Sequence, residues 1–266
     1  MKVSKCSSPR LLLILVAFHP SFDEVARLKS CLAALQPHVS YAVVVNDYRN
    51  SEAIDDLSEQ AYLFIRLRDN RGYGAAVNHL VSQLPEIPEY IAAMNTDLAW
   101  NSNTFESIVD WLDRQPDVCL ATPMLLDEHS ELQHLCKRNP TVLALMSRRF
   151  WPDRYKPSAL RRYDRRFMML DHDYQSIFSV PYLSGCCMVM RSNIFLRCGG
   201  FDERYFLYLE DADLTRMMSM YGRCVHYPFA QVIHSWGRGS YRNLYLLLVN
   251  LKSAWIYFTK WGLLLY

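Results

Sequence analysis

The sequence lacks several features that mark special classes of protein. Its eight cysteines form no Cys-x-x-Cys pair, which argues against a zinc ribbon or a thioredoxin-type redox site. It has only nine glycines and no Gly-x-Gly-x-x-Gly fingerprint, so a dinucleotide cofactor is not indicated. It also has no long run of one charge sign, and a net charge of about +2 is too small to favour nucleic acid as a partner.

A targeting segment is also not indicated. The longest early apolar run, residues 11–18, has eight residues, ends at His19-Pro20 and is followed by no small-residue cleavage pattern. A buried strand therefore explains this run better than a signal core. Several cysteines lie among apolar residues, as small core residues do. Together with the absence of a secretion signal, they predict a reducing, cytoplasmic location.

Alternating strand and helix patterns fill the first half of the chain. With 266 residues, 51% of them hydrophobic, the sequence is long and apolar enough for one large α/β domain. Apolar runs predict strands at residues 11–17, 41–45, 62–67, 90–94 and 118–122, and helical spacing predicts helices at 22–35, 72–84 and 103–112. This alternation predicts right-handed crossovers and a mainly parallel sheet, within a domain covering residues 1–240.

The second half is less regular. Residues 127–180 are rich in Arg, His, Tyr and Asp, and we interpret them as an insertion or acceptor lid with one short helix near residues 142–149. Strands are predicted at 182–190, 224–227 and 231–234, and a helix at 210–221. A basic cluster within the insertion is either a solvated face or a surface that meets phosphates or anionic lipid. It consists of Arg148, Arg149, Arg161, Arg162, Arg165 and Arg166.

The tail, residues 241–266, has an apolar helical pattern. Asn250, Lys252, Ser253 and Lys260 interrupt it, which argues against a helix that spans a membrane. Three interpretations stay open: a helix packed on the domain, an interfacial membrane helix that makes a peripheral contact, or an oligomer contact.

Polar residues follow three of the predicted strands. They are Asn46-Asp47, Asp69-Asn70 and Asn95-Thr96-Asp97. Ligands of parallel α/β sheets bind outside the carboxyl ends of the strands, so a site is predicted there. A carboxylate such as Asp97 suits a hard divalent cation that also binds substrate phosphates, although an Asp at a strand end is as often a cap of a helix or turn.

Glycine, acidic and histidine motifs complete the set. Residues 69–78 hold two glycines at a helix start, which either let the backbone approach a ligand or pack the helix on the sheet. Five acids lie within twelve residues, at 202–213, beside glycines and aromatics. The helix dipole alone could explain acids in a first turn, but not the preceding Gly-Gly-aromatic segment, so a catalytic base is the better interpretation. His234 ends an apolar strand, where a structural role and a metal or phosphate role are both open.

In their order and spacing, these motifs resemble the inverting glycosyltransferases of family 2 and, within them, a bacterial rhamnosyltransferase-like branch. The resemblance covers about residues 11–260. The matching segments are Asn46-Asp47, Asn70-Arg71-Gly72 through Asn78, Asn95-Thr96-Asp97, Gly-Gly-Phe-Asp-Glu-Arg-Tyr-Phe at 199–206, Glu-Asp-Ala-Asp-Leu at 210–214, His234 and Ser240. In one departure, the second strand ends Asn-Asp where the family usually has Asp-Asn. This leaves open which of the two residues contacts the nucleobase.

The resemblance implies an α/β fold of the GT-A type, with a Rossmann-like, mainly parallel sheet flanked by helices and a C-terminal helical extension. It also implies a dTDP- or UDP-linked sugar donor and a Mg²⁺ or Mn²⁺ ion. Asp97 matches the metal-binding acid and His234 a histidine that completes the metal site. Asp211 matches the general base, with Glu210 as its rival and Asp213 as a structural acid. The donor-side positions are Asn46, Asp47, Asn70, Gly72, Asn78, Asn95 and Ser240.

The function implied is inverting transfer of a sugar, rhamnose in this branch, to a glycan or lipid-linked glycan in surface polysaccharide synthesis. This would suit a cytoplasmic protein at the inner face of a membrane. Two other functions compete. A nucleotidyltransferase would need a glycine-rich basic loop after the first strand, where this chain has His-Pro-Ser-Phe at 19–22. A non-catalytic nucleotide-sugar-binding or scaffolding protein would not need Asp97, Asp211 and His234 together.

Overall fold

A mixed sheet forms the centre of the molecule. The computed structural model describes residues 8–49, 51–235 and 244–266, and within them the sheet has nine strands. They are β1 (Leu11–Ala17), β2 (Val39–Asn46), β3 (Leu63–Leu67), β4 (Tyr90–Asn95), β5 (Leu98–Trp100), β6 (Val118–Leu126), β7 (Phe178–Ser179), β8 (Cys187–Arg191) and β9 (Arg223–His234).

The order across the sheet is β3-β2-β1-β4-β8-β6-β9-β5, and β7 pairs with β9. Neighbours among β1 to β4 are parallel, as are β6 and β9. The antiparallel strand β8 lies between β4 and β6, and β5 and β7 also run against β9. Most strands therefore point the same way, which confirms the predicted α/β fold with a mainly parallel sheet.

Helices cover both faces of this sheet. They are α1 (Phe22–Ala33), α2 (Tyr73–Ser82), α3 (Thr104–Asp113), α4 (Val142–Phe150), α5 (Ser158–Phe167), α6 (Ser192–Arg197), α7 (Glu210–Met218) and α8 (Leu244–Trp261). The Ser21 hydroxyl caps α1 by accepting a hydrogen bond from the amide of Glu24 at 3.2 Å, as a serine directly before a helix commonly does. Two apolar cores, one on each face, hold the strands rigid, so the strand ends are fixed in position.

Three element predictions differ from the structure. The strand predicted at 182–190 begins only at Cys187, because the amide of Gly185 leaves the ladder to bond Asp211. The two strands predicted at 224–227 and 231–234 are one strand, β9, with a register shift opposite Pro123 and Met124. Helix α5 was not predicted, because it is largely arginine and buries only Asp164 and Phe167, so it has no apolar stripe.

Helix α8 packs on α7 and the loop before it. Ile256 and Tyr257 join Tyr205 and Leu209 in a small core, and the Ser253 hydroxyl donates to the carbonyl of Leu207 at 2.8 Å. The opposite face of α8 exposes a row of large apolar side chains: Leu244, Tyr245, Leu248, Leu251 and Trp255. Contact of this face with a membrane or a second protein stays a prediction. Among the described residues, no helix is both long enough and apolar enough to cross a membrane.

Candidate active site

A cleft of about 680 Å³ opens at the carboxyl ends of β1, β2 and β4. Because these strands are parallel neighbours, their ends meet at one edge of the sheet, where the sequence predicted a site. Six of the predicted donor-side and metal residues line the cleft: Asn46, Asp47, Asn70, Gly72, Asn95 and Asp97. The structure therefore brings together residues from three separate motifs.

The side chain of Asn46 fixes the loop on one side of this cleft. Its Nδ2 donates to Asn70 Oδ1 at 2.9 Å and to the Gly72 carbonyl at 3.2 Å, and its Oδ1 accepts from the amide of Arg71 at 2.9 Å. Asn70 Oδ1 also accepts from the amide of Gly72 at 2.8 Å. With these groups already bonded to protein, Asn46 and Asn70 shape the cleft wall.

Asp47 presents its carboxylate beside the side chains of Arg49 and His19. Arg49 donates to both carboxylate oxygens, at 2.8 and 3.0 Å, and His19 Nε2 lies 3.5 Å from Oδ2. The hydrogen bonds from Arg49 lower the pKa of Asp47. Arg49 itself lines the cleft, where a planar cation suits a phosphate or a nucleobase.

Asp97 and His234 converge where β4 and β9 end. Leu98, at the start of β5, pairs with His234 at the end of β9, and His234 Nε2 lies 3.4 Å from Asp97 Oδ2. On the other side of the ring, His234 Nδ1 lies 2.9 Å from Gln133 Oε1. Gln133 Nε2 donates to the His234 carbonyl at 2.8 Å, so its Oε1 is oriented to accept. This arrangement favours a proton on Nδ1 and directs the lone pair of Nε2 towards Asp97.

A divalent cation fits between these two side chains. Asp97 Oδ1 is buried and has no hydrogen-bond partner among the residues that the structure describes. A lone pair of His234 that faces a carboxylate is unfavourable unless a proton or cation lies between them. Over the part of the chain that the structure describes, no group of three His, Cys, Asp or Glu side chains could hold a metal. A site of this kind would thus have two protein ligands, with substrate phosphates and water completing the coordination of a hard cation.

Two other predicted donor-side residues are not part of this cleft as described. Asn78, on α2, donates to the Phe201 carbonyl at 2.8 Å and to Glu203 at 3.0 Å, and accepts from the Phe201 amide at 2.9 Å. Asn78 lines a different surface hollow. Its amide links the motif at residues 70–78 to the motif at residues 199–206. Ser240 lies outside the described residues.

The glycines of the 72–78 and 199–206 segments allow these two segments to dock. Gly72 has a φ of +89°, and a Cβ there would overlap the Phe206 carbonyl. A Cβ on Gly74 would lie 2.6 Å from that of Phe201. The two motifs thus form one packed unit, with α2 on one side and the approach to α7 on the other.

Asp211 and Glu210 begin α7 in different environments. Asp211 Oδ2 accepts a hydrogen bond from the amide of Gly185 at 2.9 Å. Glu210 is buried, and its Oε2 has no partner among the described residues. Burial, with the charge of Asp211 second, raises the pKa of Glu210 to about 8. At neutral pH the structure therefore holds Glu210 as a neutral acid beside the hydrogen-bonded carboxyl of Asp211.

The segment at residues 184–187 brings Asp211 close to the cleft. Tyr73 lines the cleft, and its hydroxyl donates to the Gly185 carbonyl at 2.7 Å. Burial raises the pKa of the neighbouring Cys186 thiol to about 12, and the charges of both Asp97 and Asp211 add to that rise. Both carboxylates therefore lie near one thiol. The arrangement thus places a candidate cation site and a candidate proton acceptor near one cleft.

Several cleft residues were missed by sequence reasoning. Glu24 accepts a hydrogen bond from the hydroxyl of Thr96 and lines the cleft, and its pKa is raised by burial. Its place in the first turn after β1 could have identified it by the strand-end rule. Gln133 and Gly185 have no comparable sequence signal. Gln133 lies in an irregular segment, and Gly185 lies in a segment that was predicted to be a strand.

Comparison with known proteins identifies the family. Residues 9–257 match the family described as glycosyltransferase-like family 2. The chain belongs to this family. The decaprenol-linked L-rhamnosyltransferase of Mycobacterium tuberculosis, which acts on N-acetylglucosaminyl-diphospho-decaprenol by name, is 27% identical over 80% of this chain and 76% of its own length. The rhamnosyltransferase WbbL of Escherichia coli K12 is 24% identical over 83% of this chain and 82% of its own length.

A solved structure supports the GT-A-type fold of this family-2 member. The mannosyltransferase PcManGT of Pyrobaculum calidifontis, in complex with GDP-Man and Mn²⁺, superposes with a TM-score of 0.57 at 15% identity. The match covers 88% of this chain and 59% of the mannosyltransferase, so this chain spans less than two thirds of that protein. The superposition shows the fold, and the bound molecules are those of the mannosyltransferase.

Proposed function

We propose that this glycosyltransferase transfers a sugar, rhamnose first among the candidates, from a dTDP- or UDP-linked donor to a glycan or lipid-linked glycan, with inversion at the anomeric carbon. The observation that carries the proposal is the convergence of Asp97, His234 and Asp211 beside one cleft. The names of the curated relatives support rhamnose and a diphospholipid-linked acceptor.

The donor would lie in the cleft with its diphosphate towards Asp97 and His234. These two side chains would hold Mg²⁺ or Mn²⁺, which when bound neutralises charge on the departing diphosphate. The Asn46-braced loop and Arg49 would bind the nucleotide end. Asn46 acts through the shape it gives to the loop, since its own amide is already bonded.

Asp211 is the proposed general base. It would accept the proton of the acceptor hydroxyl while that oxygen attacks the anomeric carbon from the face opposite the leaving group, and this single displacement inverts the configuration. The amide of Gly185 holds the carboxylate in position. Glu210 is the weaker candidate, because a carboxyl with a pKa of about 8 is mostly protonated at neutral pH.

The exposed apolar face of α8 supports work at a membrane surface. Leu244, Leu248, Leu251 and Trp255 recur at helical spacing and are 48–70% exposed. Tyr245, next to them, lines the donor cleft. A helix that lies flat on the inner face of a cytoplasmic membrane would bring the cleft close to a lipid-linked acceptor.

The direct test is a screen of nucleotide sugars by thermal shift with Mn²⁺, followed by measurement of nucleoside diphosphate release. A donor should raise the melting temperature of the wild-type protein by mass action. Asp97→Asn should lose both the Mn²⁺-dependent shift and the release. A protein that binds a donor but releases no nucleoside diphosphate, with or without acceptor, would be the scaffolding protein of the competing hypothesis.

A further inference from the structure

The helical hairpin formed by α4, α5 and the connection between them carries a concentrated positive charge. Residues 141–170 hold eight basic side chains and two acidic ones, whereas the whole chain has a net charge of about +2. The positive excess of this segment is therefore larger than that of the entire protein, and the rest of the chain is net acidic. Neither the donor cleft nor the proposed base makes use of these residues.

Four arginines of α5 form an exposed surface, which we call the arginine face: Arg161, Arg162, Arg165 and Arg166. The first and third are four residues apart, as are the second and fourth, so they lie next to each other along the helix. Within the part of the chain that the structure describes, none of the four guanidinium groups forms an ion pair. Like charges at this spacing oppose each other and destabilise a helix, and bound anions would remove that repulsion.

The one acidic residue of α5 does not offset this charge. Asp164 lies on the buried side of the helix and is only 9% exposed. Lys156 Nζ lies 2.7 Å from Asp164 Oδ2, and the Ser147 hydroxyl lies 2.8 and 3.0 Å from the two carboxylate oxygens. Asp164 therefore ties α5 to α4 and to the connection, and its charge is neutralised inside the hairpin. The arginine face is left with positive charge alone.

The same hairpin exposes large apolar side chains. Phe150 at the end of α4, with Trp151 and Tyr155 in the connection to α5, are each at least half exposed. On α4 itself, Leu143, Met146 and Phe150 recur at helical spacing and are also exposed. A basic helix that only faces solvent does not require such a row, and contiguous exposed apolar groups mark surfaces that bind a partner.

The chain after α8 extends this apolar surface. The amide of Val142 donates to the Leu264 carbonyl at 2.9 Å, and the amide of Leu143 donates to the Leu265 carbonyl at 3.0 Å. These bonds hold the exposed tail residues beside the start of α4. The apolar side chains of α4 therefore adjoin the segment that leads back to the exposed row of α8.

We propose that the α4–α5 hairpin binds anionic phospholipids, with the arginine face on the phosphate headgroups and the exposed aromatic side chains in the interfacial layer of the membrane. The negative potential of such a surface attracts basic side chains, and tryptophan and tyrosine are favoured at headgroup level. A nucleic acid would satisfy the arginines but would leave the aliphatic side chains of Leu143 and Met146 in water, so it fits less well. The inference goes beyond the proposed sugar transfer, because it assigns a lipid class to a surface outside the donor cleft. The apolar row of α8 cannot select a lipid by charge, whereas the arginine face does.

The test is co-sedimentation of the full chain with vesicles of phosphatidylglycerol and, separately, of phosphatidylcholine. Wild-type protein should bind the phosphatidylglycerol vesicles more tightly, and added salt should weaken that binding by screening the charges. The double variant Arg161→Gln, Arg165→Gln should weaken it roughly 25-fold, because each basic side chain near an anionic surface contributes about a factor of five. The matched control, Arg114→Gln with Arg197→Gln, removes two exposed arginines elsewhere on the surface and should bind like wild type.

A second variant tests the aromatic part of the surface. Trp151→Ser should also weaken binding to phosphatidylglycerol vesicles, and the factor lost should stay the same at high salt, because burial of an aromatic ring is not screened. All the substituted side chains are exposed, so the variants should keep the wild-type melting temperature, which thermal unfolding measures. A Trp151→Ser variant that binds like wild type would remove the connection from the lipid surface.

Three outcomes would overturn the assignment: equal affinity for the two kinds of vesicle, wild-type affinity in the Arg161 and Arg165 double variant, or equal weakening in the control. If a short single-stranded RNA binds in a way that depends on Arg161 and Arg165, and phosphatidylglycerol vesicles do not, the arginine face recognises nucleic acid instead. The nucleotide-sugar assay of the proposed function uses no vesicles, and vesicle binding needs no nucleotide sugar. Failure of the lipid site and failure of the transfer reaction therefore give different results.

Discussion

The amide of Gly185 donates a hydrogen bond to the carboxylate of Asp211 at 2.9 Å. A Cβ built on Gly185 would lie 3.1 Å from the Cβ of Asp211, closer than side chains normally pack. Glycine at position 185 therefore sets the position of the proposed base as well as bonding it.

Gly185→Ala should lower kcat with little change in the KM for the donor. The added methyl group must displace Asp211 by a few tenths of an ångström, and small misplacements of a reacting group can reduce the rate by about 10-fold or more. Steady-state kinetics with a fixed acceptor measure both constants. A folded Gly185→Ala variant with the wild-type kcat would show that the reaction rate does not depend on this position of the Asp211 side chain.

Asp211→Asn should reduce kcat by about 10²–10⁴-fold, because the amide oxygen can still accept from Gly185 but the side chain cannot accept the acceptor proton. Glu210→Gln should have a much smaller effect, since Glu210 is already mostly protonated at neutral pH. Assays of both variants at pH 7 distinguish the two residues. The reverse pattern would make Glu210 the base.

The pH dependence of the protein's stability should reflect the raised pKa of Glu210. Its pKa is raised to about 8 from an ordinary value of 4.5, so between these pH values the folded state holds a proton that the unfolded state has lost. Its stabilising contribution is complete below pH 4.5 and declines as the pH rises towards 8. Glu210→Gln should therefore gain stability relative to wild type from pH 5 to 8, by at most about 1.4 kcal/mol per pH unit.

Urea unfolding at four pH values measures this difference, with the exposed Glu59→Gln as the control. Parallel pH dependence of Glu210→Gln and wild type would mean that the carboxyl ionises normally in the folded protein.

Gln133→Leu should weaken Mn²⁺ binding by roughly 10- to 100-fold, because His234 would lose the acceptor that keeps the proton on Nδ1. Gln133→Glu keeps an acceptor for Nδ1 and should recover part of the affinity. Electron paramagnetic resonance of free Mn²⁺, with UDP or dTDP present, measures this without turnover. Gln175→Leu, at an exposed position, is the control, and equal affinity in both leucine variants would remove Gln133 from the metal site.

Lys260→Met should destabilise the protein by about 3 kcal/mol. Lys260 Nζ lies 2.8 Å from Asp213 and 3.2 Å from Asp202, and Trp261 Nε1 also donates to Asp213 at 2.7 Å. Removing the cation leaves the buried Asp213 carboxylate without its main counter-charge. Chemical unfolding measures the loss, and adding Asp213→Asn should restore part of it. Two losses that simply add would show that the residues are not coupled.

Sequence reasoning identified the parts of this protein whose signals are local. Strand β1, helix α1 and the Ser21 cap follow from apolar periodicity and a neighbouring residue type. The strand-end rule also placed Asp97 at the correct edge of the sheet. Helix α5 was not predicted because its arginine-rich sequence has no apolar stripe. The late start of β8 was not predicted because the amide of Gly185 bonds Asp211, a residue far along the chain.

The partners of the site residues were harder to predict than the residues themselves. Nothing near His234 indicates that Gln133 fixes its ring, since the two meet only when β9 pairs with β6 and the chain after β6 turns back. Asn78 shows a structural contact that its motif did not reveal. Its predicted donor contact stays a prediction, and in the structure its amide bonds the backbone of Phe201 in both directions and the side chain of Glu203.

The interior place of β9 in the sheet also bears on biosynthesis. Asp97 leaves the ribosome long before His234, and β5 has no strand partner until β9 is inserted beside it. Until then a nascent chain exposes apolar edges of β4 and β6, which β8 and β9 later cover. The pair of side chains proposed for the metal cannot form until His234 has left the ribosome and β9 has paired with β5.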